Sequence, residues 1–420
     1  MAGTVQHSAQ PGTSGPGASG APEVAGAERT PAAAYVNLVV ATVGFALTFW
    51  SWNLIAPLAS TFQGRLGFSS FQLSALTAVP VIIGSLGRIP VGALTDRFGA
   101  RLMFPLFSAL SIIPTLLLIP AKGSYWALVL VGFILGIGGT TFAIGIPHVN
   151  AWFPASRRGF ATGVFGMGMG GTALSSFFTP RIFKHGEDLP FWIVSIALAA
   201  FCVLALLTLR NPPNRQVPSQ PLARRLASAG RLSVTWELAA LYAVGFGGIV
   251  AFGVYLPTFL HNSYGLDSTD AGTRAAGFSL VTVVLRAVGG TISDHIHPAK
   301  VTAAALGVVG LFAVVEAFDP LLAPIGTIAF LVMAAGLGTA SGSVFALVAR
   351  VAPAAEVGSV TGIVGAIGGL GGFVPPLVMG AIYTAKHTYS IGLMLLSDLA
   401  FAAALYSITR MRERGRAAGA

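Results

Sequence analysis

Twelve apolar stretches, each long enough to cross a lipid bilayer, constrain this chain more than any other feature. A spanning helix needs about 20 predominantly apolar residues, and short charged or proline-containing breaks separate such runs from Tyr35 onward. Only 9% of the residues are charged and 54% are hydrophobic, which leaves too few polar side chains to cover a soluble domain. We therefore predict an all-α polytopic membrane protein. The predicted spans are residues 35–58, 71–95, 101–120, 124–152, 158–182, 189–210, 235–260, 272–294, 300–318, 322–349, 357–384 and 388–409.

The distribution of Lys and Arg predicts which side of the membrane holds the termini. Fifteen of these residues fall in the loops and tail on the side of the termini, and six fall in loops on the other side. Because cytoplasmic loops carry the excess of basic residues, we predict a multi-pass protein of the cell membrane with both termini in the cytoplasm. The formal charge of +10 then reflects basic loops facing anionic lipid, not a nucleic-acid partner.

Two motifs repeat at almost the same spacing, which divides the spans into two groups of six. Residues 87–97 (GRIPVGALTDR) resemble residues 285–295 (LRAVGGTISDH), with a shared Arg, Gly and Asp 198 positions apart. Residues 159–170 (GFATGVFGMGMG) resemble residues 358–369 (GSVTGIVGAIGG) at an offset of 199. Chance similarity of glycine-rich helices is the alternative, and agreement on nearly one offset argues against it. The predicted segments are a disordered cytoplasmic tail (1–34), a six-helix bundle (35–210), a cytoplasmic linker (211–234), a second six-helix bundle (235–410) and a cytoplasmic tail (411–420).

Arg88 and Arg286 are the two cations that lie inside predicted spans and away from the span ends. Each lies eight residues before a loop-end Asp, which is about 12 Å into the membrane. A buried arginine is costly, and of the intramembrane carboxylates Glu237 and Glu316 lie at span ends, so only Asp398 could pair centrally. The repeat places the two arginines at equivalent positions, so we expect them to face each other across a cavity. Two guanidinium groups suit a small planar oxyanion such as nitrate, nitrite, formate, oxalate or bicarbonate.

Glycines and loop charges suggest how such a protein would move. The glycine-rich stretches of the fifth and eleventh spans predict closely packed helices that slide or bend. Asp96, Arg97 and Arg101 predict a charge cluster at the cytoplasmic face that biases inward-open against outward-open states; ordinary loop charges are the alternative. The predicted hinge residues are Gly163, Gly166, Gly170, Gly362, Gly365 and Gly369.

These motifs together resemble the nitrate/nitrite porter family of the major facilitator superfamily. Residues 136–171 (GIGGTTFAIGIPHVNAWFPASRRGFATGVFGMGMGG) and 358–377 (GSVTGIVGAIGGLGGFVPPL) are similar to that family's two glycine-rich signatures. The resemblance extends to both membrane arginines, Arg88 and Arg286, and to residues 242–252 (YAVGFGGIVAF). It implies the major facilitator fold, with twelve transmembrane helices in two pseudo-symmetric six-helix bundles.

The resemblance also implies roles for individual residues. Both arginines would be direct nitrate ligands, and Phe142, Tyr242 and Phe246 would enclose the anion with aromatic rings. The chain departs from the family pattern in the fifth span, where the family is expected to have an asparagine and this chain has Phe165 or Met169. Neither side chain has a hydrogen-bonding amide, so discrimination between nitrate and nitrite is open.

The sequence therefore predicts a secondary active transporter that moves nitrate, with nitrite as a second substrate, by alternating access in nitrate assimilation. A formate/oxalate-type organic anion exchanger on the same fold is the alternative. An enzyme is not expected, because the sequence has no H-E-x-x-H motif, no G-x-x-x-x-G-K-[ST] motif and no paired intramembrane carboxylates. We expect no cofactor or metal and a monomer in the bilayer. Proton symport and nitrate/nitrite exchange both remain open, since Asp398 is the one central carboxyl that symport could use.

Overall fold

Long apolar helices make up the computed structural model, which describes residues 32–154, 157–212, 220–353 and 356–411. Within those residues, eleven helical segments are long and apolar enough to cross a membrane. The predicted fifth span is not among them; it consists of Arg158–Gly166, a 3-10 turn at Met167–Gly170 and Gly171–His185, and we refer to it as span 5. The other spans are span 1 (Ala32–Leu66), span 2 (Ser70–Phe98), span 3 (Ala100–Ala121), span 4 (Tyr125–Trp152), span 6 (Leu189–Thr208), span 7 (Ser233–Tyr264), span 8 (Ser268–His295), span 9 (Pro298–Ala317), span 10 (Leu322–Val351), span 11 (Val357–Lys386) and span 12 (Ser390–Met411).

The outer surface of the bundle is apolar along its length. Leu207 on span 6 is 77% exposed and Trp126 on span 4 is 75% exposed, as are large apolar side chains on most other spans. Contiguous exposure on this scale marks a surface that a non-aqueous phase must cover. The prediction of an all-helical membrane protein is therefore confirmed, with helix ends that extend a few residues beyond several of the apolar runs.

The sequence repeat extends to the short loops that precede spans 2 and 8. Gly67 and Gly265 both take a left-handed backbone conformation, with φ of 67° and 64°, which glycine adopts without steric cost. Two residues later, Ser69 and Asp267 cap the following helix by accepting hydrogen bonds from its first backbone amides. These signals end one helix and begin the next at equivalent positions in the two halves.

The two ends of the bundle differ in how closely the halves approach. We call the end with Ala32 and Met411 the terminal face and the other end the opposite face. At the opposite face Gly272 of span 8 lies so close to the carbonyl oxygen of Ser176 on span 5 that no Cβ would fit. Gly380 of span 11 is equally close to the side chain of Ser74 on span 2, so the halves are closed together at this face.

Most of the predicted hinge glycines do not make the close helix contacts that the sequence predicts. A Cβ at Gly163, Gly166, Gly170, Gly362 or Gly365 would meet no atom within 4 Å, whereas one at Gly369 would overlap the side chain of Ser85. The expectation is thus wrong for five of the six glycines in this conformation, because spans 5 and 11 border open space toward the terminal face.

Close approach is instead made by neighbouring glycines of the same stretches. Gly168 and Gly171 contact span 1, and Gly368 and Gly371 contact span 7, at positions where a Cβ would overlap. Each contact lies within one half. The helix also breaks nearby in both halves, at Met167–Gly170 and in the turn at 371–373, so the glycine-rich stretches pack each bent helix onto its own bundle.

The predicted linker 211–234 contains a nine-residue helix, Leu222–Gly230, which we call the linker helix. Its Leu226 packs against the hydrophobic core and Ala229 is buried, while Arg224 is exposed. Residues 213–219 of the linker, residues 1–31 of the predicted N-terminal tail and residues 412–420 of the C-terminal tail lie outside the described residues.

Candidate anion-binding site

Arg88 lies on span 2 with its side chain 7% exposed and turned into the centre of the bundle. Its Nε donates to the carbonyl oxygen of Gly139 on span 4 at 3.4 Å, and one terminal nitrogen donates to the carbonyl oxygen of Gly365 on span 11 at 3.0 Å. Gly139 belongs to the 3-10 turn Gly136–Thr141 of span 4. Because both acceptors are backbone groups, no side-chain substitution elsewhere removes them.

Arg286, its repeat partner on span 8, is held by side chains. One terminal nitrogen donates to the sulfur of Met169 at 3.0 Å and the other to the hydroxyl oxygen of Tyr242 at 2.9 Å. A thioether is a weak acceptor, so the hydrogen bonds that hold Arg286 are weaker than those that hold Arg88.

Two aromatic rings are shared by both arginines. The Cζ atoms of Arg88 and Arg286 lie 5.1 and 5.7 Å from the ring centroid of Phe142. They lie 5.3 and 5.2 Å from the ring centroid of Phe246. A cation within about 6 Å of a ring centroid is attracted to the ring face, and contact with the same two rings brings the two guanidinium groups to one site, which we call the anion space.

The aromatic enclosure extends on the C-terminal side of this space. Tyr242 stacks on Phe246 with centroids 4.8 Å apart and planes at 3°. Phe345 of span 10 meets Tyr242 edge-on at 4.6 Å, and the Cζ of Arg286 lies 5.7 Å from its ring centroid. The structure thus brings together all five residues predicted as ligands or enclosure and adds Phe345, which the sequence did not single out.

Carboxylates do not neutralise this pair. Within the described residues, neither Arg88 nor Arg286 forms an ion pair. Asp398, the central carboxyl in the sequence, is on an exposed part of span 12. Glu316 is buried at the end of span 9, where one carboxylate oxygen accepts from the hydroxyl of Tyr264 at 3.3 Å. The alternative of pairing with an intramembrane carboxylate therefore finds no support in the described residues.

The guanidinium groups retain donors for a ligand. A guanidinium carries five N–H donors, and the hydrogen bonds described above use two on each arginine. Donors therefore remain unused on both groups at the anion space, where the positive charges have no carboxylate counter-ion among the described residues. This arrangement fits a small anion that accepts hydrogen bonds from two sides.

Each arginine also reaches across to the glycine-rich helix of the other half. Arg88 of the first half binds Gly365 of span 11, and Arg286 of the second half binds Met169 of span 5. In the repeat, these two positions lie about one helical turn apart. An anion that draws either guanidinium toward itself therefore changes a contact between the halves.

The two candidates for the missing asparagine of span 5 have different surroundings. Phe165 is buried and stacks on Phe45 of span 1 with ring centroids 4.8 Å apart. Met169 is the residue that touches Arg286. Of the two candidates, Met169 is therefore the one whose side chain contacts the arginine pair.

The predicted charge cluster at Asp96 involves the linker helix. Asp96 accepts a hydrogen bond from Arg225 of that helix at 3.0 Å, and Ser228 of the same helix donates to Glu356 of span 11 at 2.7 Å. The Cζ of Arg97 lies 5.4 Å from the ring of Phe98, and the backbone amide of Arg101 donates to Asn211 at 3.2 Å. The linker helix thus connects the two halves at the terminal face.

Removing one partner of the Asp96–Arg225 pair should shift the balance between the two access states. Both side chains are partly exposed, so we expect a change of about 0.5 kcal/mol, or roughly twofold in the equilibrium, for Asp96→Asn or Arg225→Gln. Distance measurements between labels on the terminal face would report the shift. In a double-mutant cycle the combined variant should add little to either single change; full additivity would contradict a coupling between these residues.

Sequence reasoning missed four contributors to this region. Phe345 is one of 28 phenylalanines and no local pattern marks it. The carbonyl groups of Gly139 and Gly365 carry no side-chain signal, although both residues lie in the glycine-rich signatures. Arg225 was counted only as a basic linker residue, and its spacing within an amphipathic segment was the available signal.

Comparison with protein families and curated proteins places this geometry in context. A family model described as Major Facilitator Superfamily matches residues 41–376. The chain is 48% identical over 381 residues to the probable nitrate/nitrite transporter NarK2 of Mycobacterium tuberculosis, covering 90% of this chain and 96% of that protein. It is 35% identical over 369 residues to the nitrite extrusion protein of Bacillus subtilis, covering 88% and 92%.

Solved structures agree on the fold. A bacterial homologue of the human lysosomal transporter Spinster, in an inward-facing and occupied conformation, superimposes with a TM-score of 0.69 at 17% identity and covers 92% of this chain and 96% of that chain. The human organic anion transporter MFSD10 gives a TM-score of 0.67 at 15% identity, covering 89% and 99%. At these identities the similarity concerns the arrangement of helices.

Proposed function

This chain belongs to the major facilitator superfamily, and from that premise we propose that it carries nitrate and nitrite across the cell membrane by alternating access. The relatives described as nitrate/nitrite transporter and nitrite extrusion protein align over most of its length. The chain is a transporter and not an enzyme. The terminal face is taken as cytoplasmic, on the strength of the excess of Lys and Arg in its loops.

One observation carries the proposal: Arg88 and Arg286 share the rings of Phe142 and Phe246 and have no carboxylate partner in the described residues. A neutral substrate would leave the positive charges of the buried Arg88 and the partly buried Arg286 without compensation. A planar oxyanion instead accepts hydrogen bonds from both guanidinium groups, while the apolar rings keep water away and strengthen these bonds.

Transport follows from the asymmetry between the two faces. With the opposite face closed and spans 5 and 11 bordering open space at the terminal face, this conformation is inward-facing. Two like charges resist being brought together in an empty site, because their repulsion is strong where water is excluded. A bound anion neutralises the pair, so the halves can close around it and open to the other side.

The membrane potential decides what must accompany the anion. Moving one negative charge inward costs about 2.3 kcal/mol per 100 mV of inside-negative potential. Nitrate uptake therefore needs either exchange for an outgoing anion such as nitrite or symport with protons. Exchange requires only the site described above, whereas symport also requires a group that binds protons during the cycle.

Counterflow in proteoliposomes tests this function. Vesicles preloaded with nitrite or nitrate should accumulate isotopically labelled nitrate from outside, and external nitrite should compete more strongly than formate or acetate. Uptake that occurs only in preloaded vesicles would indicate exchange, whereas uptake into unloaded vesicles driven by an acidic exterior would indicate proton symport. Labelled nitrate that stays outside under every condition, with protein shown to be inserted, would contradict the proposal.

A further inference from the structure

At the opposite face, polar side chains join the two halves along a line that we call the outer seam. Thr61 and Ser268 share a hydrogen bond of 3.2 Å between their hydroxyl oxygens. Lys184 donates to the carboxylate of Asp267 at 3.1 Å. Hydrogen bonds from the backbone amide of Asp270 and from Lys184 lower the pKa of Asp267, so this carboxylate stays ionised at neutral pH. The residues of the outer seam are Thr61, Arg181, Lys184, Asp267, Ser268 and Thr273.

Arg181 belongs to the outer seam, and its guanidinium group donates hydrogen bonds to uncharged acceptors. One terminal nitrogen donates to the hydroxyl oxygen of Thr273 on span 8 at 2.7 Å, and the other donates to the carbonyl oxygen of Phe177 on its own helix. Its Cζ lies 3.7 Å from the centroid of the Phe177 ring. Among the described residues, no carboxylate pairs with Arg181.

A cavity lined by both polar and apolar side chains opens beside the outer seam. Its volume is about 390 Å³, and residues of both halves line it, with Ser268 contributed by the second half. Arg65, Lys184 and His185 are on its wall, together with Glu187, which pairs with Arg65; Arg181 does not line the cavity but lies on the same helix as Lys184. The cavity is large enough for a small hydrated anion, and it lies on the side from which substrate would arrive in the outward-open state.

We propose that Arg181 is an outer anion contact, which receives the incoming oxyanion when the outer seam parts and passes it toward Arg88 and Arg286. This inference rests on the proposed function and adds a second binding position to it. The ligand class is the same small, singly charged oxyanion.

The geometry explains how this contact becomes available. Opening the outer seam moves span 8 away from span 5, so the bond to Thr273 breaks while the bond and the ring contact with Phe177 remain, because Phe177 lies on the same helix. The guanidinium is then held flat with unused donors facing the gap. Span 5 leads from Arg181 back to Met169, which lies twelve residues earlier in the 3-10 turn, about 18 Å away along the axis, and which contacts Arg286.

A single guanidinium suits a position of passage. Conduction requires that each site bind well enough to be entered and weakly enough to be left. One arginine at a water-filled opening binds an anion less tightly than two arginines in a dry enclosure, so the anion is drawn inward.

Sided kinetics of the Arg181→Gln variant test the proposal. In right-side-out vesicles we expect the KM for external nitrate to rise by about tenfold and to lose much of its dependence on ionic strength. In inside-out vesicles the KM for nitrate at the cytoplasmic face should stay within about twofold of wild type. Arg181→Lys keeps the charge without the planar set of donors. Its KM for external nitrate should fall between the values of the wild type and of Arg181→Gln.

Matched controls separate this role from stability and from net charge. Arg274 is exposed at the same face and donates to a threonine hydroxyl, that of Thr327, at 3.1 Å, but both residues belong to the second half. Arg274→Gln should leave both KM values unchanged. Thr273→Val removes the seam hydrogen bond while keeping Arg181, and should preserve the ionic-strength dependence of external KM.

The outcomes also distinguish this inference from the function beneath it. Nitrate counterflow with equal external KM in wild type and Arg181→Gln would overturn the outer contact and leave the transporter. An equal rise of KM on both faces would likewise overturn it, since that result marks a general defect. Absence of nitrate counterflow in the wild type would overturn both.

Discussion

Exchanging either central arginine for lysine, as Arg88→Lys or Arg286→Lys, is expected to lower nitrate counterflow roughly a hundredfold. Lysine keeps the positive charge, so charge alone does not explain the loss. An ammonium is a compact group that cannot form the planar two-pronged contact with an oxyanion. Loss of such charge-assisted hydrogen bonds costs about 1.5–3 kcal/mol, and each 1.4 kcal/mol corresponds to a tenfold change.

The two substitutions should differ in their side effects. Lysine at position 88 cannot reach the carbonyl oxygens of both Gly139 and Gly365, which Arg88 now bridges, so a change in the packing of span 11 should accompany the loss of transport. Lysine at position 286 gives up only the contacts with Met169 and Tyr242. Counterflow should be compared with Arg274→Lys, which alters an exposed arginine outside the site. Full activity in either site variant would remove that arginine from the binding site.

Placing a single methyl group at the contact between the halves, as Gly272→Ala, should reduce transport at least about tenfold without harming the site. A Cβ at Gly272 would overlap the carbonyl oxygen of Ser176 and lie 3.2 Å from a ring carbon of Pro180. The backbone of span 5 cannot yield as a flexible side chain would, so closure of the opposite face is obstructed. We therefore expect the variant to remain outward-open and to bind external nitrate without releasing it inside.

Gly277→Ala provides the matched control for this prediction. It lies on the same helix, and a Cβ there would meet nothing within 4 Å. Alanine is the better helix former at both positions, by about 1 kcal/mol, so any loss seen only at position 272 reports the contact between the halves. Wild-type transport in Gly272→Ala would contradict the assignment of this conformation as the closed opposite face.

Much of the architecture could be predicted because the local composition of the sequence identifies membrane spans. The length of each apolar run sets a helix, and the repeat of Arg, Gly and Asp at one offset places Arg88 and Arg286 at equivalent depths. The sequence also predicted that the two arginines lack a good carboxylate partner. Apart from Glu237 at the start of span 7, Glu316 and Asp398 were the only intramembrane candidates. Phe142, Tyr242 and Phe246 came from family resemblance, and the structure brings them around the arginines.

The remaining features depend on three-dimensional contacts that leave little trace in the sequence. Which glycine packs and which borders open space depends on the conformation, and so Gly171 packs against span 1 while Gly166 does not. The contact of Met169 with Arg286 and the placement of Phe345 arise from the bend of span 5 and the crossing of spans 7 and 10. Arg225 reaches Asp96 only because the linker forms a helix.

A structure of the protein with bound nitrate tests the central claim most directly. The account predicts one anion between Arg88 and Arg286, with oxygen atoms within about 3.2 Å of nitrogen atoms of both guanidinium groups, and with the rings of Phe142 and Phe246 against it. Nitrate bound elsewhere, or either arginine paired with a carboxylate while nitrate is present, would contradict it.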